Sequence, residues 1–98
     1  MVLLIKTYLS GNTIRFQATF KNYNNELVNP DLVEFIIYNS KEELLHRFEA
    51  TNLSLGIYYY DFNFSDEDKN RRFIVEMRGI INNKPCIERE EIMIKFKK

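Results

Sequence analysis

The chain has 98 residues, of which 45% are hydrophobic and 14% aromatic, a composition typical of one globular domain and far from that of a disordered segment. Its 14 basic residues balance 14 acidic ones, and this zero net charge lacks the basic excess that indicates a nucleic-acid partner. The single cysteine, Cys86, excludes a disulfide within the chain and a thiolate metal cage, so we expect one domain over residues 1–98 that is stabilised by its apolar core.

The first predicted strand runs from Val2 to Tyr8 and ends at the turn signature Ser10-Gly11-Asn12. It begins within an apolar run, Met1 to Ile5, which is too short for a secretion signal or a membrane span. We therefore expect no export signal and no membrane partner.

Alternation of apolar and polar residues predicts the next strands, because successive side chains of an extended strand point to opposite faces. The alternation is clearest from Thr13 to Phe20, it recurs from Leu32 to Tyr38, and Leu44 to Phe48 is predicted as a short strand. Between the first two, Lys21 to Glu26 contains three asparagines and is predicted as a turn. Pro30 cannot donate a ladder hydrogen bond, so it is placed before a strand rather than within one.

The stretch from Gly56 to Phe64 is predicted as a half-buried strand that is entered through a glycine turn. Its core-facing side carries four aromatic residues: Tyr58, Tyr60, Phe62 and Phe64. The preceding segment, Ala50 to Leu55, is a connection whose form the sequence leaves open. It could hold a helical turn, but it is too short for a stable helix.

Two more strands complete the predicted set, from Phe73 to Gly79 and from Ile87 to Phe96, with a hairpin-like turn at Asn82-Asn83-Lys84-Pro85 between them. Ser65 to Asn70 is predicted as a charged loop. Seven short strands separated by turn signals predict an antiparallel sandwich of two sheets. Its predicted core consists of Ile14, Phe16, Phe35, Ile37, Tyr58, Tyr60, Phe62, Phe73, Val75, Ile92 and Ile94.

A family resemblance is carried by six segments that lie between residues 13 and 84: Thr13–Phe20, Asn29-Pro30-Asp31, Val33–Tyr38, Gly56–Phe62, Arg72-Phe73 and Gly79–Lys84. Together they resemble the small immunoglobulin-like domains that tailed bacteriophages encode as short virion or virion-associated proteins. Similar strands occur in bacterial macroglobulin-type and other surface immunoglobulin-like modules. The resemblance implies an all-β fold, a seven-stranded antiparallel immunoglobulin-like β-sandwich, although the chain lacks the tryptophan and the inter-sheet disulfide of antibody domains.

The resemblance also implies a non-enzymatic structural or interaction protein, associated with a bacteriophage virion and acting through protein–protein contacts. Its expected partners are phage structural proteins or further copies of the chain, without nucleic acid, and its expected location is the virion or the bacterial host cytoplasm before assembly. One alternative is a carbohydrate-binding or host-surface-binding module. A second alternative is a module of a larger bacterial surface protein.

Tyr38 and Tyr59 are the candidate surface-contact residues, because each lies opposite a core-facing set and tyrosine combines an apolar ring with a hydroxyl. No catalytic, cofactor-binding or metal-binding residue is predicted. The single histidine, His46, is interpreted as a solvent-facing strand residue, and Cys86 as a small buried or half-buried apolar residue. Asp66-Glu67-Asp68 lacks the glycine and the ligand spacing of a calcium loop and is interpreted as a solvated turn.

Overall fold

The computed structural model describes residues 6–65 and 71–95, and this part of the chain forms eight strands and no helix. The strands are β1 (Lys6–Leu9), β2 (Thr13–Thr19), β3 (Val33–Asn39), β4 (Leu44–Glu49), β5 (Thr51–Ser54), β6 (Ile57–Asn63), β7 (Arg71–Ile81) and β8 (Lys84–Lys95). A five-stranded sheet has the order β1-β8-β7-β3-β4, and a three-stranded sheet has the order β2-β6-β5. The predicted strand residues before Lys6 and the acidic triplet Asp66-Glu67-Asp68 lie outside the described residues.

The prediction of an all-β chain with two sheets is confirmed, but the predicted number of seven strands is wrong. The additional strand is β5, which occupies the connection whose form the sequence left open. All four of its side chains are exposed, so no apolar alternation marks it. It is a strand only because its backbone pairs with β6, for example Thr51 opposite Tyr59.

The prediction that all strands are antiparallel is also wrong. β1 runs parallel to β8, with Lys6 opposite Ile92 and Leu9 opposite Lys95. Alternation along a sequence identifies the two faces of a strand, but it contains no information about the direction of the neighbouring strand. The remaining strand pairs are antiparallel.

The core lies between the two sheets and is dominated by aromatic rings. The Phe35 ring of β3 stacks on Phe16 of β2 and on Tyr60 of β6, with ring centroids 5.0 and 5.4 Å apart. The predicted core residues are buried except Tyr60 and Phe62, which are half-buried and pack against the core. The predicted core set did not include five further buried members of this cluster, Ala18, Phe20, Val33, Phe64 and Met77, although alternation had placed Ala18, Phe20 and Phe64 on core-facing sides of their strands.

The face of the five-stranded sheet that points away from the core is partly buried as well. Ile36 of β3 and Glu76 of β7 lie opposite each other on this outer face, and both are buried. The Glu76 carboxylate accepts hydrogen bonds from Arg89 of β8 and lies 3.7 Å from the Arg78 guanidinium. Its hydrogen bonds to Arg89 raise the pKa of that guanidinium above its ordinary value. Long charged side chains therefore cover the middle of this face.

Candidate binding surfaces

The two tyrosines selected from the sequence lie on opposite sides of the protein. Tyr38 is on the outer face of the five-stranded sheet, since its neighbour Ile37 is in the core. Tyr59 is on the outer face of the three-stranded sheet, where the Arg15 guanidinium carbon lies 4.0 Å from its ring centroid. Both are half-buried. The sandwich separates them, so they do not form one contact surface, and one face of Tyr59 is covered by a cation–π contact.

Arg15 is itself held in place by Asp61, the residue opposite it on β6. Its Nε and Nη2 atoms donate hydrogen bonds of 2.8 and 3.0 Å to the two carboxylate oxygens of Asp61. These bonds lower the pKa of the Asp61 carboxyl and raise the pKa of the Arg15 guanidinium. Arg15, Asp61 and Tyr59 thus form a closed polar cluster on the surface.

His46 and Cys86 are not brought together. The His46 ring is exposed on β4 and stacks on Phe48, whereas Cys86 is half-buried on β8 and packs against the core. Two strands, β7 and β3, lie between β8 and β4, which corresponds to roughly 14 Å at the usual strand spacing. Within residues 6–65 and 71–95, no three or more His, Cys, Asp or Glu side chains are grouped closely enough to hold a metal ion.

A groove, here called the lateral groove, opens between the two sheets beside β1, β2 and β8. Its cavity volume is about 440 Å³. Phe16, Phe35 and Met77 contribute an apolar floor, and Glu88 and Glu90 of β8 are among the residues that line it. Both glutamates occupy core-facing positions of their strand, opposite Met77 and Val75. Lys6, Arg15 and Arg89 also line the groove, so its walls carry charges of both signs.

The lateral groove lies beside two strand edges. β1 pairs only with Ile92 to Lys95, so the first part of β8 has no strand partner on that side among the residues described. β2, on the other sheet, pairs only with β6 and likewise presents one unpaired edge in the described ranges. The charge of Glu90 is partly compensated, since its carboxylate lies 3.5 Å from the Lys6 amine.

A second surface, here called the loop end, is formed by the connection between β2 and β3 and by the turns at 55–56 and 82–83. Backbone hydrogen bonds join these segments, including one from Phe20 to Gly56 at 2.7 Å. The Gly56 amide also donates to the Asn29 side chain, and the Asp31 amide donates to the Ile80 carbonyl. A polar hollow of about 430 Å³ lies here, lined by Asn22, Val28, Asn29, Asp31, Ile80, Ile81, Asn82 and Asn83.

Tyr23 lies in this loop end and is 93% exposed. It follows Asn22, whose side-chain oxygen accepts hydrogen bonds from the amides of Asn24 and Glu26. Tyr23 is not among the contact residues predicted from the sequence. The sequence signal that could have indicated its position in a turn was the pair of polar residues Asn22 and Glu26, which fixes a five-residue turn around Tyr23.

No protein-family model, curated protein or solved structure matches this chain significantly. Its candidate surfaces are therefore defined by its own geometry. In the part of the chain that the structure covers, no helix has the length and apolar character needed to cross a membrane.

Strand geometry explains why these surfaces could be predicted only in part from the sequence. Tyr38 and Tyr59 were selected by alternation within one strand, which shows that a side chain points away from the core. Alternation does not show what covers that side chain, and Arg15 covers Tyr59 from a neighbouring strand. Tyr23 lies in a turn, where no alternation applies.

Proposed function

We propose that this chain is a non-enzymatic, immunoglobulin-like interaction protein of a bacteriophage particle that acts through protein–protein contacts. The strand order supports the immunoglobulin-like part of the proposal. In immunoglobulin constant domains the second, fifth and fourth strands share one sheet, while the third, sixth and seventh form the other. Here β2, β6 and β5 share a sheet, and β3, β7 and β8 are adjacent in the other, with β4 as an additional strand. The first strand differs, because β1 lies beside β8, whereas in a constant domain it belongs to the sheet of the second strand. The bacteriophage part rests on the sequence resemblance.

The lateral groove carries the proposal of a protein partner. It combines an apolar floor with the edge of β2, whose backbone groups on that side have no strand partner in the described part of the chain. Extended segments of other proteins bind such edges by adding a strand, with main-chain hydrogen bonds for affinity and side-chain pockets for specificity. A phage structural protein or a second copy of the chain could supply this segment in the virion, or in the host cytoplasm before assembly.

Co-sedimentation of the purified chain with phage particles tests this proposal, and light scattering tests self-association. The Glu88→Lys variant reverses a charge that lines the lateral groove. The matched control, Glu91→Lys, makes the same change at an exposed position of β8 that points to the outer face. We expect Glu88→Lys to weaken binding and Glu91→Lys to leave it unchanged. The proposal fails if the chain binds neither particles nor itself, and the groove is not the site if both variants behave alike.

A carbohydrate-binding module is the second candidate function. The amide side chains of Asn29, Asn82 and Asn83 and the carboxylate of Asp31 line the hollow of the loop end, and amides both donate to and accept from hydroxyl groups. Binding of the chain to a glycan array, without binding to particles or to itself, would favour this function over a protein partner.

A further inference from the structure

We propose that Tyr23 is the anchor side chain through which the loop end binds a folded protein partner. This inference rests on the proposed function, since it names a second contact of an interaction protein. It concerns a different surface from the lateral groove. Three features of the molecule support it: the hydrogen-bonded turn Asn22–Glu26, a second copy of that turn within the chain, and the exposure of the Tyr23 ring.

The turn that carries Tyr23 is fixed by hydrogen bonds. The Asn22 amide donates to the Glu26 carbonyl at 3.0 Å, and the Asn25 amide donates to the Asn22 carbonyl at 3.0 Å. The Asn22 side-chain oxygen accepts from the amides of Asn24 and Glu26 at 2.9 and 3.1 Å. Because this backbone is ordered before any partner arrives, binding through the turn would lose little conformational entropy.

The same turn occurs a second time, at Asn39–Glu43. The Asn39 side-chain oxygen accepts from the amides of Lys41 and Glu43, both at 2.9 Å, and the Asn39 amide donates to the Glu43 carbonyl at 3.0 Å. In both turns the fourth residue has a positive φ, 64° at Asn25 and 65° at Glu42. The second position of this copy is Ser40 instead of a tyrosine.

Comparison of the two turns shows that their geometry does not need an aromatic residue at the second position, since Ser40 occupies it equally well. The core does not need Tyr23 either, because its ring is 93% exposed. The other five tyrosines, Tyr8, Tyr38, Tyr58, Tyr59 and Tyr60, are buried or half-buried. Neither the turn nor the packing of the protein therefore explains the tyrosine at position 23.

The surroundings of Tyr23 favour a protein partner over a sugar. The polar hollow of the loop end is lined without the Tyr23 ring, so a sugar bound in the hollow would not receive an aromatic platform from it. A protruding tyrosine on a rigid turn instead fits a pocket on another protein, and tyrosine is enriched among the residues that dominate protein interfaces. Asparagines flank it, and rigid tyrosines beside adaptable asparagines are typical of protein-binding loops.

This geometry fits a pocket on the partner whose apolar walls surround the phenol ring of Tyr23. A polar group at the base of the pocket would pair with the tyrosine hydroxyl. The side chains around Tyr23 add little net charge, because Lys21 and Glu26 lie at the two sides of the same loop. Leu27 and Leu55 are exposed in the loop end and could contact the apolar rim of such a pocket. The expected interface is therefore mixed, with one aromatic anchor and polar surroundings.

A swap between the two turns tests the inference. Tyr23→Ser gives the first turn the residue that the second turn has, and Ser40→Tyr is the reciprocal control. Both variants should keep the circular-dichroism spectrum and the melting temperature of the parent protein. We expect Tyr23→Ser to raise the Kd for purified phage particles or for a structural protein isolated from them by about tenfold or more, and Ser40→Tyr to leave that Kd unchanged.

The outcomes separate this inference from the proposed function. If the parent chain binds neither particles nor itself, the proposed function and this inference both fail. If the parent binds and Tyr23→Ser binds equally well, the anchor role of Tyr23 is wrong while the proposed function stands. A glycan array tests the carbohydrate alternative. If the parent binds a glycan and the Tyr23→Ser variant does not, Tyr23 contacts a carbohydrate and its role as a protein anchor is wrong.

Discussion

Arg89 donates two hydrogen bonds to a single oxygen of Glu76, from Nη2 at 2.6 Å and from Nε at 3.0 Å. Glu76 is fully buried although it points away from the core between the sheets, and its other carboxylate oxygen has no hydrogen-bond partner among the residues described. The Arg78 guanidinium lies 3.7 Å from that oxygen. A buried carboxylate held in this way depends strongly on its cation, because loss of the partner leaves a desolvated charge.

The Arg89→Leu variant should therefore be markedly less stable than the parent. We expect its melting temperature to fall by roughly 5–10 °C. Arg89 is half exposed, but its loss leaves the buried Glu76 carboxylate with only the more distant Arg78 guanidinium among the ion pairs of the described residues. The double variant Glu76→Leu/Arg89→Leu should recover most of the loss, because it removes the buried charge together with its partner. A double-mutant cycle measured by thermal unfolding gives the coupling free energy between Glu76 and Arg89. Equal stability of the single and double variants would contradict this account.

Gly56 and Gly11 allow backbone strain to be separated from steric overlap. Both have positive φ, 75° and 83°, which disfavours alanine. A Cβ at position 11 would meet nothing within 4 Å, whereas a Cβ at position 56 would lie 2.9 Å from the Phe20 carbonyl oxygen. We expect Gly11→Ala to cost about 1–2 kcal/mol and Gly56→Ala about 2–4 kcal/mol in urea unfolding. Equal losses would show that the close contact at Gly56 is relieved without cost.

Phe35 and Phe62 differ in burial although both were predicted as core residues. Phe35 is 1% exposed and stacks on two rings from the other sheet, while Phe62 is half-buried. Phe35→Ala should therefore lower the free energy of unfolding by about 3–5 kcal/mol, and Phe62→Ala by about half as much. Urea titrations of both variants measure the difference. A larger loss for Phe62→Ala would show that the observed packing does not describe the core.

From the Arg15–Asp61 pair we expect the stability of the protein to depend weakly on pH in the acidic range. The pKa of Asp61 is lowered from its ordinary 3.8 by the hydrogen bonds from Arg15, so the pair stabilises the folded state fully above the unfolded pKa. This contribution is lost as the pH falls below about 4 and through the folded pKa. Asp61→Asn should remove this part of the acid sensitivity, and Arg15→Gln should do the same. The melting temperature measured from about pH 6 to pH 2.5 checks the prediction, and an unchanged slope in both variants would contradict it.

The two-residue alternation in β2 shows how far a local pattern can specify this protein. Ile14, Phe16 and Ala18 are buried and the residues between them are exposed, as the alternation from Thr13 to Phe20 predicts. Side-chain direction in a strand follows from backbone geometry alone, so the sequence was sufficient to identify the strand and its core face. The turn at Ser10–Asn12 and the hairpin turn after β7 were equally accessible, because their residues favour turn conformations; at Asn82 and Asn83 φ is positive.

The sequence by itself therefore determined the all-β class, most strands and most of the core faces. Only the tertiary structure decided the parallel direction of β1 and the existence of β5, because both depend on backbone pairing with distant residues. The same reason applies to Glu76, which is buried by an arginine thirteen residues away, and to Tyr59, which is covered from another strand. Tyr23 was visible in the sequence as one of six tyrosines, but its exposure on a fixed turn depends on hydrogen bonds that a residue pattern does not record.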